Sequence, residues 1–259
     1  MTKNRVCSFY GTAAVIFLAL VVIPSVPAQN PSFHVLAFWN TTGEVDHSDF
    51  ARQAIQFFAD AANRDHFEFR ATTDWSEMNP DVLAKTRVVI WLNGQPTTEA
   101  ERSAFESYMR HGGAWLGTHV SGYNDHSTTW RWFVDFFGGA VFFANNWPAL
   151  PAKLHVDDPT HPVVRGLPRS FVAPANEWYV WKPSARANPA VKVLVTLDPA
   201  SYPLGFKDRL LSGDCPVVWT NTKYRMLYVN MGHGDKAMSS SELHTMFENS
   251  LMWLAGHAN

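Results

Sequence analysis

The sequence predicts an α/β fold: an open parallel sheet with helices on both faces and an elaborated second half. Short, almost wholly apolar runs alternate with amphipathic stretches through the first half of the chain, the pattern of strands buried on both faces and their crossover helices. The order strand, helix, strand, strand, helix, strand over residues 33–119 implies right-handed crossovers. Histidines and acidic residues fall just beyond the strand ends, where ligands bind in sheets of this kind.

Residues 1–28 read as a secretory leader. Lys3 and Arg5 give a short positive end, residues 11–23 are apolar, and Pro24-Ser25-Val26-Pro27-Ala28 supplies small residues for cleavage. As a helix the apolar run spans about 20 Å, short of a bilayer core of about 30 Å. Cleavage after Ala28 is therefore expected rather than a permanent anchor. Residues 29–259 then form a single domain, periplasmic or secreted, with no membrane attachment after signal cleavage.

Residues 33–39 are the first expected strand, followed by a polar loop through His47. Ser48 is placed as the N-cap of a helix whose apolar stripe is Phe50, Ala54, Phe57, Phe58 and Ala61. Residues 67–69 and 87–92 are the next strands. Thr98-Glu99-Ala100-Glu101 is a capping box opening a helix that Gly112 or Gly113 closes. A fourth strand leads to His119. Beyond it residues 130–137 read as a helix stopped by Gly138-Gly139, and residues 191–197, 216–220 and 226–230 as strands. A last helix carries Leu243, Met246, Phe247, Leu251 and Leu254 on one face and ends at Gly256.

The chain has 21 basic and 23 acidic residues. No basic stripe is present, which argues against a nucleic-acid partner. Cys215 is the one cysteine beyond the leader, so an intramolecular disulfide is excluded, and it reads as a small apolar residue opening a strand.

The turn at Gly117-Thr118-His119-Val120-Ser121 is shaped like a nucleophile elbow, but it presents histidine where Ser or Cys would be needed. Asp46 and His47, His119, Glu177 and His233 all lie at strand ends that can share one rim. Three neutral imidazoles and one carboxylate suit zinc or a similar divalent cation. The same set without a metal could act as general acid and base on a sugar. The candidate catalytic residues are thus His119, Glu177 and His233, and the candidate metal ligands His47, His119 and His233. Trp147, Trp178 and Tyr179 are candidates for stacking on sugar rings. His161-Pro162 reads as a turn, and Ser121 with Asp125 or His126 matches no triad spacing.

Taken together, the loop ending at His47-Ser48, Gly112-Gly113-Ala114-Trp115-Leu116-Gly117-Thr118-His119, Trp130-Arg131-Trp132-Phe133 and Gly138-Gly139 resemble the ThuA-like family associated with trehalose utilisation. So do His161-Pro162-Val163, Asn176-Glu177-Trp178-Tyr179, Pro216-Val217-Val218-Trp219, Gly232-His233 and Trp253-Leu254-Ala255-Gly256. The resemblance covers nearly all of residues 29–259. It implies a flavodoxin-like sheet similar to class I glutamine amidotransferases, with His119 in the region of the missing catalytic cysteine and hence no glutaminase activity. The chain departs from the family pattern at Asn145, where a histidine is often found nearby, at Asn176, where Asp is usual, and in residues 221–225.

The expected function is an exported enzyme of carbohydrate metabolism, a hydrolase, lyase or isomerase acting on a disaccharide or keto-glycoside. A divalent metal is its expected cofactor, a small carbohydrate its partner, and a homo-oligomer is compatible with the sequence. The alternatives are a non-catalytic carbohydrate- or partner-binding module that retains the fold, and a serine hydrolase using Ser121.

Overall fold

The computed structural model describes residues 32–198, 200 and 214–257. The leader expected over residues 1–28 lies outside the described residues.

Eleven strands and five α-helices order the described chain. The strands β1 (His34–Phe38), β2 (Glu68–Thr72), β3 (Val88–Trp91) and β4 (Ala114–Thr118) join α1 (Val45–Asp65), α2 (Pro80–Leu83) and α3 (Glu99–Arg110) in the first half. Then come α4 (Arg131–Phe136), β5 (Phe142–Asn145), β6 (Leu150–Val156), β7 (Ser170–Asn176) and β8 (Tyr179–Trp181). The chain finishes with β9 (Val191–Leu197), β10 (Pro216–Asn221), β11 (Arg225–Val229) and α5 (Ser241–Ala255).

Nine strands form one sheet in the order β2-β1-β3-β4-β11-β10-β9-β6-β7. From β2 to β11 every pairing is parallel. From β11 onward, through β10, β9, β6 and β7, every pairing is antiparallel. The sheet is therefore mixed, with the expected parallel core and an antiparallel wing as its elaborated second half. β5 and β8 pair separately as a two-stranded ribbon.

Alternate residues of the central strands feed two cores, as the two-residue period of a strand requires. Val35, Ala37, Val88, Ile90, Leu116, Leu227 and Val229 face α1 and α5 through Phe50, Ala54, Phe58, Leu243 and Met246. Leu36, Phe38, Val89, Trp91, Trp115, Met226 and Tyr228 face α2, α3 and α4 through Leu83, Phe105, Phe133 and Phe136. Helices thus cover both faces. The second core absorbs much of the tryptophan: Trp91 meets Phe105 at 4.3 Å and Trp115 at 5.3 Å between ring centroids.

Two local expectations differ in outcome. The capping box at Thr98 forms as read, with both reciprocal bonds present. Ser48, in contrast, is not the cap of α1. The helix starts at Val45 after Glu44, and the Ser48 amide donates to the Glu44 carbonyl as part of the first turn. His47 therefore sits on a helix rather than in a loop.

Candidate functional site

The carboxyl ends of β1, β4 and β11 open on one rim, and three histidines reach it from there. His47 lies in the first turn of α1, which follows β1. His119 follows β4 directly, at the start of a 3-10 turn. His233 follows β11 through Asn230, Met231 and Gly232. Glu177 comes from the antiparallel wing, between β7 and β8. One ligand atom from each of His47, His119, Glu177 and His233 lies within 4.8 Å of those of the others. The ring centroids are 5.1 Å apart for His47–His119, 5.1 Å for His47–His233 and 5.3 Å for His119–His233, nearly an equilateral triangle. Nε2 of His119 is 3.5 Å, and Nε2 of His233 3.9 Å, from Oε2 of Glu177.

The backbone at His119 is unusual. Its φ is 42°, in the left-handed region that costs non-glycine residues energy and persists where surrounding contacts enforce it. Those contacts are visible. The Tyr228 hydroxyl donates to the His119 carbonyl at 2.8 Å, and His119 Nδ1 lies 2.9 Å from the Asn230 carbonyl. A neutral ring donating from Nδ1 leaves a lone pair on Nε2. That Nε2 is buried and has no hydrogen-bond partner, as is Nε2 of His47.

Three buried asparagines hold the remaining pieces. The Asn176 side chain accepts from the amides of Gly232 and His233 and donates to the carbonyls of Glu177 and Asn230. Asn146 accepts from the Trp178 amide and donates to the carbonyls of Asn176 and Pro148. Asn230 accepts from the Tyr179 amide and donates to the Tyr228 hydroxyl. Gly232 completes the turn. A Cβ there would stand 2.8 Å from the His119 Cβ and 3.2 Å from a Phe50 ring carbon, so only glycine lets the two loops approach.

Burial, assisted by the neighbouring His119, lowers the His47 pKa from 6.5 to about 4. Burial and His233 lower that of His119 to about 3, against the opposing pull of the Asn230 carbonyl. Both rings are neutral near pH 7, the form that ligates metals. Burial raises the Glu177 pKa, opposed by His233, His47 and the Asn145 amide that donates to its Oε1.

The aromatic candidates divide. Trp147 is 59% exposed at the rim, its ring centroid 6.1 Å from that of His233. Trp178 is a correction: it is buried, its indole N–H donates to the Leu150 carbonyl, and it belongs to the core beneath α1 and α5. Tyr179 is also buried and lies against the His119 ring at 4.5 Å, shaping that ring's position rather than offering a face to a ligand. His161 caps a turn by accepting from the Val163 amide and takes no part in the cluster. Ser121 is fully buried and its hydroxyl has no partner, while Asp125 is engaged with Ser127, so no serine triad is assembled.

The family model for ThuA, described as trehalose utilisation, matches residues 34–254. The chain belongs to the ThuA family. A ThuA-like protein from Bacteroides uniformis is 44% identical with a TM-score of 0.82, over 90% of this chain and 95% of that one. A second, from Parabacteroides merdae, is 16% identical with a TM-score of 0.63, over 87% and 90% of the two chains. A Thermoplasma acidophilum protein assigned to GMP synthase is 10% identical with a TM-score of 0.52, over 87% and 96%. These last two likenesses show the fold alone, consistent with an amidotransferase-like sheet. A comparison with the curated proteins finds no match. Membership in a trehalose-utilisation family supports a carbohydrate-related function.

In this ThuA-family protein the sequence reading missed Glu44, whose Oε1 is 3.2 Å from His233 Nε2, and the supporting roles of Asn146, Asn176 and Asn230. Glu44 carries no local motif. The one available signal was its place in Glu44-Val45-Asp46-His47, an acidic–histidine run shortly after a strand.

Proposed function

We propose that this protein is an enzyme acting on a disaccharide or keto-glycoside, with a divalent ion such as zinc held by His47, His119 and His233. The observation that carries the reading is the convergence of two buried imidazoles, His119 and His233, and the half-buried His47 beside one carboxylate, with Nε2 of His47 and of His119 buried and unpartnered. Unpartnered buried nitrogens are expensive to leave unmet, and neutral imidazole with carboxylate is a donor set that zinc accepts.

A bound ion would polarise a sugar carbonyl or hydroxyl as a Lewis acid. The chain supplies the rest. Asn145 holds Oε1 of Glu177 and leaves Oε2 facing the imidazoles. With its pKa raised by burial, that carboxyl is suited to take and return a proton at Oε2. The Asn230 carbonyl keeps the His119 proton on Nδ1. Trp147 offers an exposed aromatic face on which a sugar ring can stack. Residues 1–28, read as a secretory leader, support a periplasmic or extracellular location for this activity.

Metal analysis of the purified protein, beside turnover of a panel of disaccharides and keto-glycosides by the His119→Ala, His233→Ala double variant, tests the reading. The expected result is bound zinc or a similar ion in the native protein, and loss of both metal and turnover in the variant. Full turnover by the metal-free variant overturns it.

A further inference from the structure

The three histidines share one polarity. In His119, Nε2 faces the Glu177 carboxylate and Nδ1 meets the Asn230 carbonyl at 2.9 Å. In His47, Nε2 is buried and unpartnered while Nδ1 is 3.7 Å from Oε2 of Glu44. In His233, Nε2 faces Glu177 and Nδ1 points away from the cluster, buried, unpartnered and 3.9 Å from Oδ2 of Asp46. A metal-binding histidine ordinarily donates its other N–H to a carboxylate or carbonyl, which fixes the ring and raises its basicity. For His119 that acceptor is in place. For His233 it is not: Oε1 of Glu44 stands 3.2 Å from Nε2, where it is placed to accept a hydrogen bond from an Nε2–H tautomer.

We propose that Asp46 is the positioning residue for His233: its carboxylate accepts a hydrogen bond from Nδ1–H when Nε2 gives its lone pair to an ion. The inference rests on the metal reading above and goes beyond it, by assigning a role to a residue outside the three histidines and Glu177. Loading then exchanges one tautomer for the other. One proton passes from Nε2 by way of Glu44 to solvent and one is taken up from solvent at Nδ1, on the Asp46 side, so the ring stays neutral throughout. The movement required is small. Closing 3.9 Å to hydrogen-bond length takes less than about 1.5 Å, and the Asp46 side chain is 41% exposed. Its backbone is already anchored, since the Gly234 amide donates to the Asp46 carbonyl at 3.1 Å and ties the start of α1 to the His233 turn.

Zinc titration of the metal-free full-length protein by calorimetry tests this with Asp46→Ala and Asp46→Asn. Asp46→Ala is expected to weaken zinc binding roughly 10- to 100-fold, the range for lost outer partners of metal ligands. Asp46→Asn keeps an acceptor oxygen and is expected to stay within about tenfold of the native protein. Proton NMR of the zinc-loaded native protein should show a protected His233 Nδ1–H that Asp46→Ala loses. Unchanged thermal melting of the metal-free variants separates positioning from folding. Native affinity in Asp46→Ala, or binding of two ions with Asp46 as a direct ligand, overturns the proposal alone. A native protein that binds no zinc or similar ion overturns it together with the metal reading.

Discussion

The Nδ1 atom of His119 lies 2.9 Å from the carbonyl oxygen of Asn230, 111 residues further along the chain. That contact, with the Tyr228 hydroxyl on the His119 carbonyl, holds a non-glycine residue at φ 42°. A left-handed conformation costs an L-residue about 1–2 kcal/mol that glycine is spared. His119→Gly and His119→Ala both lose the ring, yet the glycine variant should be the more stable by about 1–2 kcal/mol in urea unfolding. Equal stabilities would show that the backbone relaxes once the ring is gone.

Asn176 satisfies two amides and two carbonyls in the interior. Asn176→Ala should lower unfolding free energy by about 2–4 kcal/mol, since each unmet buried group costs about 1–3 kcal/mol and some will find water. Denaturant titration measures it. A loss below about 0.5 kcal/mol, the size of an ordinary surface change, contradicts the role given to this side chain.

Gly232→Ala places a methyl 2.8 Å from the His119 Cβ, an atom next to the backbone that cannot swing aside. The expected result is a stability loss of about 1–3 kcal/mol from overpacking, accompanied by weaker zinc binding because His119 is displaced. Calorimetry and urea melts read the two effects separately. Native behaviour in both would mean that the two loops separate freely.

Acid should loosen the metal-free protein. His47 and His119 have folded pKa values of about 4 and about 3, below the ordinary 6.5. As pH falls through 6.5 the unfolded chain binds protons that the folded chain refuses, so their contribution is complete above pH 6.5 and is lost on the way down toward 4. Glu177, raised by burial, acts in the opposite direction but is one group against two. The urea midpoint should fall between pH 6.5 and 4, with a shallower slope in His119→Gln. Identical slopes in the two proteins would refute the assignment.

Trp147 is exposed and its removal should leave stability within about 0.5 kcal/mol of native. Stacking on an aromatic face contributes about 0.5–1.5 kcal/mol, so Trp147→Ala should weaken sugar binding roughly two- to tenfold. Fluorescence or calorimetric titration with a disaccharide checks this. Unchanged affinity would remove Trp147 from the site.

The parallel half was legible because its strands are buried on both faces and its helices keep a clean apolar stripe. The wing was not. β6 buries only Ala152, Leu154 and Val156 between exposed Pro151, Lys153 and His155, a weak alternation interrupted by proline, and β7 is similar. The convergence of the histidines and Glu177 is legible because each follows a strand end. His47 reads as a loop residue because Ser48 imitates a cap, whereas α1 begins at Val45. Trp178 reads as a rim residue, but neighbouring residues in an extended segment point opposite ways: Glu177 faces the cluster while Trp178 turns into the core.

Glu44 and His233 touch although 189 residues separate them, so nearly the whole described fold is a single loop closed at the rim. Closing so long a loop from the unfolded chain carries an entropy penalty that grows with the logarithm of its length. An ion gripped by side chains from both ends of the loop would act as a removable stitch, in the manner of a cross-link. Chelation would then cut the stitch, and the lifetime of the protein against proteases would follow the supply of metal around it.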